Sequence, residues 1–151
     1  NAGIRFLDKL ERSKGEEFMF PHVRKAITDA WRRARIPGAG SLDGIETHDC
    51  FTSTEYMAID HFGLTPPGQS WQAIESGLVE IDGKCPVNAS GGLIGVGHPV
   101  GATGARLLLD AGRQVTGTAG DYQVAGARTY GTLNIGGSLG TVVSLVVGLR
   151  D

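Results

Sequence analysis

The chain is short of several things, and each shortage excludes a class. It has two cysteines, Cys50 and Cys85, in 151 residues. The two could pair, but nothing marks a disulfide-built secreted scaffold, and a reduced setting is the expectation. Net charge is −2 and no basic run exceeds Arg32-Arg33. That argues against a nucleic-acid groove or a polybasic membrane patch. No stretch approaches the ~20 apolar residues of a membrane span, and residues 141–149 are far too few. The start shows no signal-peptide pattern. The final Gly-Leu-Arg-Asp carries no peroxisomal or reticulum-retention address. A cytoplasmic setting is therefore expected. The first residue, Asn1, is not Met, so the expectation is a piece of a longer product. No metal-ligand set is assigned.

What is abundant is glycine. The 24 glycines far exceed the roughly 7% of ordinary usage, and they gather after Ser90. Residues 1–17 are polar without a clear period and predict a loop or frayed segment. From 17 to about 35, Phe18, Val23, Ala26, Ile27, Ala30, Trp31 and Ala34 make a helical stripe, which Pro37-Gly-Ala-Gly40 ends. Residues 44–48 predict a short strand. Residues 53–62 predict a helix with Thr52 or Ser53 as N-cap and Gly63 as its stop. Residues 71–76 predict a further helical turn, and 84–97 an irregular, glycine-rich stretch. Pro99 suits a first helical position, so a buried helix is predicted from Pro99 to about 116. Residues 127–134 and 141–149 predict two strands joined by 135–140 as an antiparallel hairpin. The order gives a layered α/β fold.

Three segments can carry chemistry. The first is Gly91-Gly-Leu-Ile-Gly-Val-Gly-His-Pro-Val-Gly-Ala-Thr-Gly104. It sets His98 among glycines that let a ligand approach the backbone, at a predicted helix N-terminus that favours negative charge. The bland alternative is a glycine loop packed on a sheet. The second is His48-Asp-Cys-Phe51, which follows a strand and precedes a helix, where ligands of α/β sheets gather. Cys50 there can be a nucleophile or an acid/base, or simply a buried thiol. The third is Asn134-Ile-Gly-Gly137, whose N–H groups could face an oxyanion, or which is only a hairpin turn. Asp49 and Glu55 read as orienting or solvated groups. His22 and His61 read as structural, and Cys85 has no catalytic neighbour.

Together the three motifs resemble a thiolase of the sterol-carrier-protein-2 type, an acetyl-CoA acetyltransferase-like enzyme. Asn88 to Gly104 is similar to the thiolase loop bearing a Gly-His-Pro histidine. His48-Asp-Cys-Phe51 matches the motif of the sterol-carrier type, where most thiolases have Asn-Glu-Ala-Phe. Asn134-Ile-Gly-Gly137 stands where other thiolases have Cys-x-Gly. The resemblance implies the C-terminal part of a layered α-β-α fold with a mixed sheet, the buried helix after the Gly-His-Pro loop, and a C-terminal antiparallel hairpin. It assigns residues 18–151 to an incomplete thiolase C-terminal domain, with the N-terminal half absent.

It also implies roles. His98 would ease thiolate formation on a nucleophilic cysteine and help hold an oxyanion. His48 would polarise the thioester oxygen of the second acyl-CoA. Cys50 would move the proton at the α-carbon or the leaving thiolate. Gly136 would offer its N–H to the oxyanion on the acylated cysteine. A Claisen condensation needs these parts.

Asn134 replaces the second cysteine, so Cys50 would carry the proton chemistry alone. The implied activity is thiolysis of a 3-ketoacyl-CoA or acyl-CoA condensation, in lipid metabolism such as fatty acid or steroid degradation. The coenzyme A thioester would be a substrate, with no covalently bound cofactor. A dimer or tetramer is implied for the full-length protein, and this chain alone is expected to be inactive, without turnover of acyl-CoA. The acyl-binding residues are not assigned. The alternatives are a thiolase-like aldolase acting on CoA-linked steroid side chains, a non-catalytic acyl-CoA or lipid-binding relative, and, lower, a β-ketoacyl synthase.

Overall fold

A computed structural model describes residues 14–137 and 139–149. The predicted loop over residues 1–17 lies largely outside the described residues. Its last residues, 14–17, form turns and bends.

Helix α1 spans Pro21–Ala34. Pro21 sits in its first turn, where the missing N–H is not needed. Val23, Ile27, Ala30 and Trp31 are buried along one face, the spacing of an amphipathic helix. Arg35, in the left-handed conformation at φ 59°, closes it, so the helix stops before Pro37. Strand β1 is Gly44–Thr47 and is buried throughout. Helix α2 is Thr52–Phe62, α3 is Ser70–Glu75, α4 is Gly92–Val96 and α5 is Thr103–Thr116. Strands β2, Thr129–Gly136, and β3, Thr141–Gly148, complete the chain.

The sheet order is β1-β2-β3. β1 runs parallel to β2, with Glu46 opposite Thr132, and β3 returns antiparallel, with Asn134 opposite Val143. The fold is thus the predicted mixed α/β arrangement with its C-terminal hairpin. Helix α1 covers one face: Val23, Ile27 and Trp31 pack with Ile45, Phe62 and Leu133 in the main core. Helix α5 covers the other, where Ala111 and Val115 meet Tyr130 and Val124. Fully burying a side chain such as Val23 or Ile27 stabilises by about 1.5–3 kcal/mol. Gly44 is required by close approach: a side chain there would run into the Tyr130 ring.

Three local expectations are corrected. The N-cap of α2 is Phe51, not Thr52 or Ser53. The useful hydroxyl is that of Thr54, which donates to Phe51 O at 2.6 Å and accepts from Phe51 N–H at 3.4 Å. Gly63 does end the helix, left-handed at φ 71°. The stretch 84–97 is not wholly irregular: it holds α4, and Val87 bridges β1 in parallel at Ile45.

Finally, α5 starts at Thr103 rather than Pro99. The N–H groups of Ala102 and Thr103 both donate to Pro99 O, at 2.8 and 3.0 Å. The Thr103 hydroxyl closes the same turn at 3.1 Å. Residues 99–103 therefore form a self-contained turn, and the regular helical bonds begin after it.

Candidate active site

Everything around the site hangs on the C-terminal end of β1. The backbone N–H of His48 donates to Leu133 O at 2.9 Å, which carries the β1–β2 ladder one residue beyond the strand. His48 is thereby buried at the strand's exit, where α/β sheets place ligands. Cys50, two residues on, is half-buried. Phe51 is 69% exposed at the start of α2.

The glycine-rich loop is fastened to this strand end by three hydrogen-bonded clamps. Asn88, left-handed at φ 56°, accepts the Thr47 N–H on its Oδ1 at 2.7 Å. Asn tolerates that conformation better than other non-glycine residues. Glu46 accepts the Ser90 N–H at 3.1 Å and the Ser90 hydroxyl at 2.6 Å. Asp49 accepts the Leu93 N–H at 2.6 Å, so it caps the short helix α4. Gly92, at φ 59°, is needed there because a side chain would overlap the Asp49 carboxylate. Asp49 is thus an orienting group, one of the two readings given to it.

The loop returns His98 to the site. The His98 and His48 rings meet edge to face, with centroids 4.8 Å apart. His98 Nδ1 lies 2.7 Å from Thr103 Oγ1. The Thr103 hydroxyl also lies 3.1 Å from Pro99 O, so it ties the His98 ring to this turn. His98 faces this turn rather than the first residue of a helix.

The structure brings all four predicted residues together. His48, Cys50, His98 and Gly136 line one cavity of about 590 Å³, which Asn134, Thr54 and Leu139 also border. Exposed Phe51 and Val100 stand at its rim. Gly104, on α5, faces Asn134, whose Oδ1 a side chain there would meet at ordinary contact distance.

Electrostatics divide the groups. Burial lowers the His48 pKa, the neighbouring His98 lowers it further, and Asp49 partly opposes them. His48 is thus a neutral imidazole at pH 7, able to donate one N–H. Burial pushes Glu46 up to about 7, with Ser90's hydrogen bonds pulling the other way. Cys85 is buried and its thiol is pushed up to about 12, chiefly by burial. It is inert at neutral pH, and Cys50 is the more accessible of the two thiols. Both cysteines are free.

Glu46, Asn88, Ser90 and Thr103 were not singled out from the sequence as site residues. Glu46 carried one signal. It shares a strand face with His48, two residues away, and it is a charge inside a strand buried on both faces.

The remaining histidines are structural, as expected. His61 is buried and accepts the Phe20 N–H on Nε2 at 3.1 Å while Nδ1–H donates to Met57 O at 2.7 Å. His22 Nε2–H donates to Leu139 O at 3.1 Å.

This is a mixed α/β fold whose family comparison with known proteins makes specific. The thiolase C-terminal domain-like family matches residues 6–149. An acetyl-CoA acetyltransferase of Methanothermobacter thermautotrophicus is 41% identical over 116 residues, covering 77% of this chain and 30% of that protein. Sterol carrier protein 2 of Rattus norvegicus is 40% identical over 108 residues, covering 72% of this chain and 20% of that protein. The solved structure of an Ltp2-ChsH2(DUF35) aldolase superposes with a TM-score of 0.75 at 21% identity, over 85% of this chain and 32% of that one.

The chain belongs to the thiolase C-terminal domain-like family. It spans about a third or less of the length of these relatives. Among the described residues no helix is long and apolar enough to cross a membrane.

Proposed function

We propose that this chain supplies the proton-transfer and oxyanion side of a thiolase-type acyl transfer on coenzyme A thioesters. The observation that carries the reading is one cavity bordered by His48, Cys50, His98 and Gly136, in a chain that belongs to the thiolase family. The thioester is substrate, and no covalently bound cofactor enters the reading.

In the condensing direction the Cys50 thiolate takes a proton from the α-carbon of an acyl-CoA. The electron pair left behind moves onto the thioester oxygen, and the neutral His48 N–H stabilises the negative charge formed there. Such preorganised donors are usually the largest single term in this chemistry. The carbanion then attacks a second acyl group held as a thioester on a nucleophilic cysteine, whose sulfur leaves as thiolate. His98 Nε2 serves that sulfur as proton acceptor and donor. The Gly136 backbone borders the place where the oxyanion forms on the same acyl group. In the thiolytic direction the same steps run backwards, and Cys50 returns its proton to the departing carbon. The nucleophile comes from outside the described site, since Cys85 is buried with an inert thiol. The likeness to an aldolase, at 21% identity, is one of fold and singles out no residue for retro-aldol chemistry.

The test is protection. Acetyl-CoA should slow alkylation of Cys50 by iodoacetamide, followed by peptide mass spectrometry, and coenzyme A with no acyl group should protect less. Equal alkylation of Cys50 with and without acetyl-CoA would contradict the proposal.

A further inference from the structure

One wall of the cavity around Cys50 carries a polar side chain that the proton-transfer steps do not use. Asn134 lies on β2, the central strand of the sheet, and borders the cavity with His48, Cys50 and His98. The ladder pairs Glu46 with Thr132 and Thr47 with Leu133, so its next step sets His48 beside Asn134. The His48 N–H bond to Leu133 O carries the ladder that far. Alternation along the strands then sends both side chains out on the face that Glu46 and Thr132 share. The same face meets α5, where a side chain at Gly104 would lie 3.4 Å from Asn134 Oδ1 and 3.7 Å from its Cγ, with Nδ2 farther off.

Asparagine is an unfavourable choice for this place. It is depleted in strands, and a polar group drawn out of water costs free energy unless it is hydrogen-bonded. Asn134 is half-buried, yet its side-chain amide makes no hydrogen bond among the described residues. The threonines on the same wall differ. Thr54 bonds Phe51 through both Phe51 N–H and Phe51 O, and Thr103 lies between His98 Nδ1 and Pro99 O. Thr141 is exposed at the start of β3. Local preferences broken without a compensating contact concentrate at functional sites.

We infer that the Asn134 side-chain amide is a second donor to the thioester oxygen, beside the His48 N–H, and so a further catalytic residue. The inference rests on the acyl-transfer reading above. When Cys50 takes the α-proton, the electron pair of the broken C–H bond forms the new carbon–carbon double bond, and the carbonyl π pair moves onto oxygen. Two neutral donors from adjacent strands then share that charge. The Asn134 N–H has no competing acceptor among the described residues, so it meets the oxygen without first giving up a bond. Donors fixed in advance of the charge are the effective ones.

Acetyl-CoA, isotope-labelled at the acetyl carbonyl and used at saturation in heavy water, tests it with two readouts. Deuterium entry into the methyl group reads the step in which charge forms. The infrared frequency of the bound carbonyl reads its polarisation before any step. Asn134→Leu keeps the branched shape, removes the donor and excludes water, whereas Asn134→Ala lets water take the donor's place. Loss of one such donor should slow exchange about 100-fold in Asn134→Leu, or to the buffer rate where that is reached first, and less in Asn134→Ala. The carbonyl band on wild type should lie below that of free acetyl-CoA, and both variants should lose part of that shift. Exchange and band unchanged in both variants would overturn the donor and leave the acyl-transfer reading standing. Slower exchange with an unchanged band would make Asn134 a shaping residue and also overturn the inference. A wild type that accelerates no exchange would remove both.

Discussion

Replacing Glu46 by Gln should change how stability depends on pH, by an amount the structure sets. Glu46 lies in strand β1 with no exposed surface, and burial raises its carboxyl from the ordinary 4.5 to about 7. The unfolded chain ionises this group near 4.5 and the folded chain near 7. Between those values the folded state holds the extra proton. Its stability is therefore greatest below about pH 4.5, falls as pH rises through the window, and levels off above about pH 7. Linkage puts the total at roughly 3 kcal/mol.

Buried His48 and His61 work in the opposite sense. Their pKa values are lowered in the fold, so they cost stability as pH falls below the ordinary histidine range. The raw profile mixes the two effects, but the difference between wild type and Glu46→Gln isolates the carboxyl. Gln keeps the shape, an oxygen for the Ser90 N–H and an amide for the Ser90 hydroxyl. Urea unfolding at several values from pH 5 to pH 8 reads the difference. The variant should gain roughly 2.5 kcal/mol on wild type across that range. Parallel profiles would refute the reasoning, because they would mean that Glu46 ionises alike in the folded and unfolded chains.

Three other outcomes follow from the same geometry. Asp49→Ala removes the acceptor of the buried Leu93 N–H. It should cost about 1–3 kcal/mol in urea unfolding and speed hydrogen exchange at the Leu93 amide. Ile27→Ala empties a fully buried position in the main core and should cost about 2–5 kcal/mol by the same measurement. A thiol reagent should modify Cys50 in the native chain and reach Cys85 only after denaturant, given the burial of Cys85 and its raised pKa; native modification of Cys85 at a similar rate would contradict this.

The parts of the fold legible in the sequence were those with a period. The Val23, Ile27, Ala30, Trp31 stripe and the apolar run ending in the C-terminal hairpin each follow from side-chain spacing alone. The site residues were legible for a different reason: His48, Cys50, His98 and Gly136 lie in short motifs whose order resembles one family. What escaped depends on partners distant in sequence. Ser90 is 44 residues from Glu46, and Leu93 is 44 from Asp49, so no local window shows either clamp. Pro99 misled because its preference for a first helical turn is statistical. Here the Thr103 hydroxyl, shared between His98 and Pro99 O, closes the turn early and delays the helix. Helix α4 was missed because glycine-rich segments carry no periodic signal. It exists because Asp49, supplied by another segment, caps it.

The central claim is that Cys50 and His48 together can ionise the α-carbon of a thioester. Incubation of the chain with acetyl-CoA in heavy water, followed by mass spectrometry of the acetyl group, tests this without needing a second nucleophile. The account predicts deuterium entering the methyl group faster than in buffer, and a return to the buffer rate in Cys50→Ala. An unaccelerated wild type, or acceleration that survives Cys50→Ala, would contradict it.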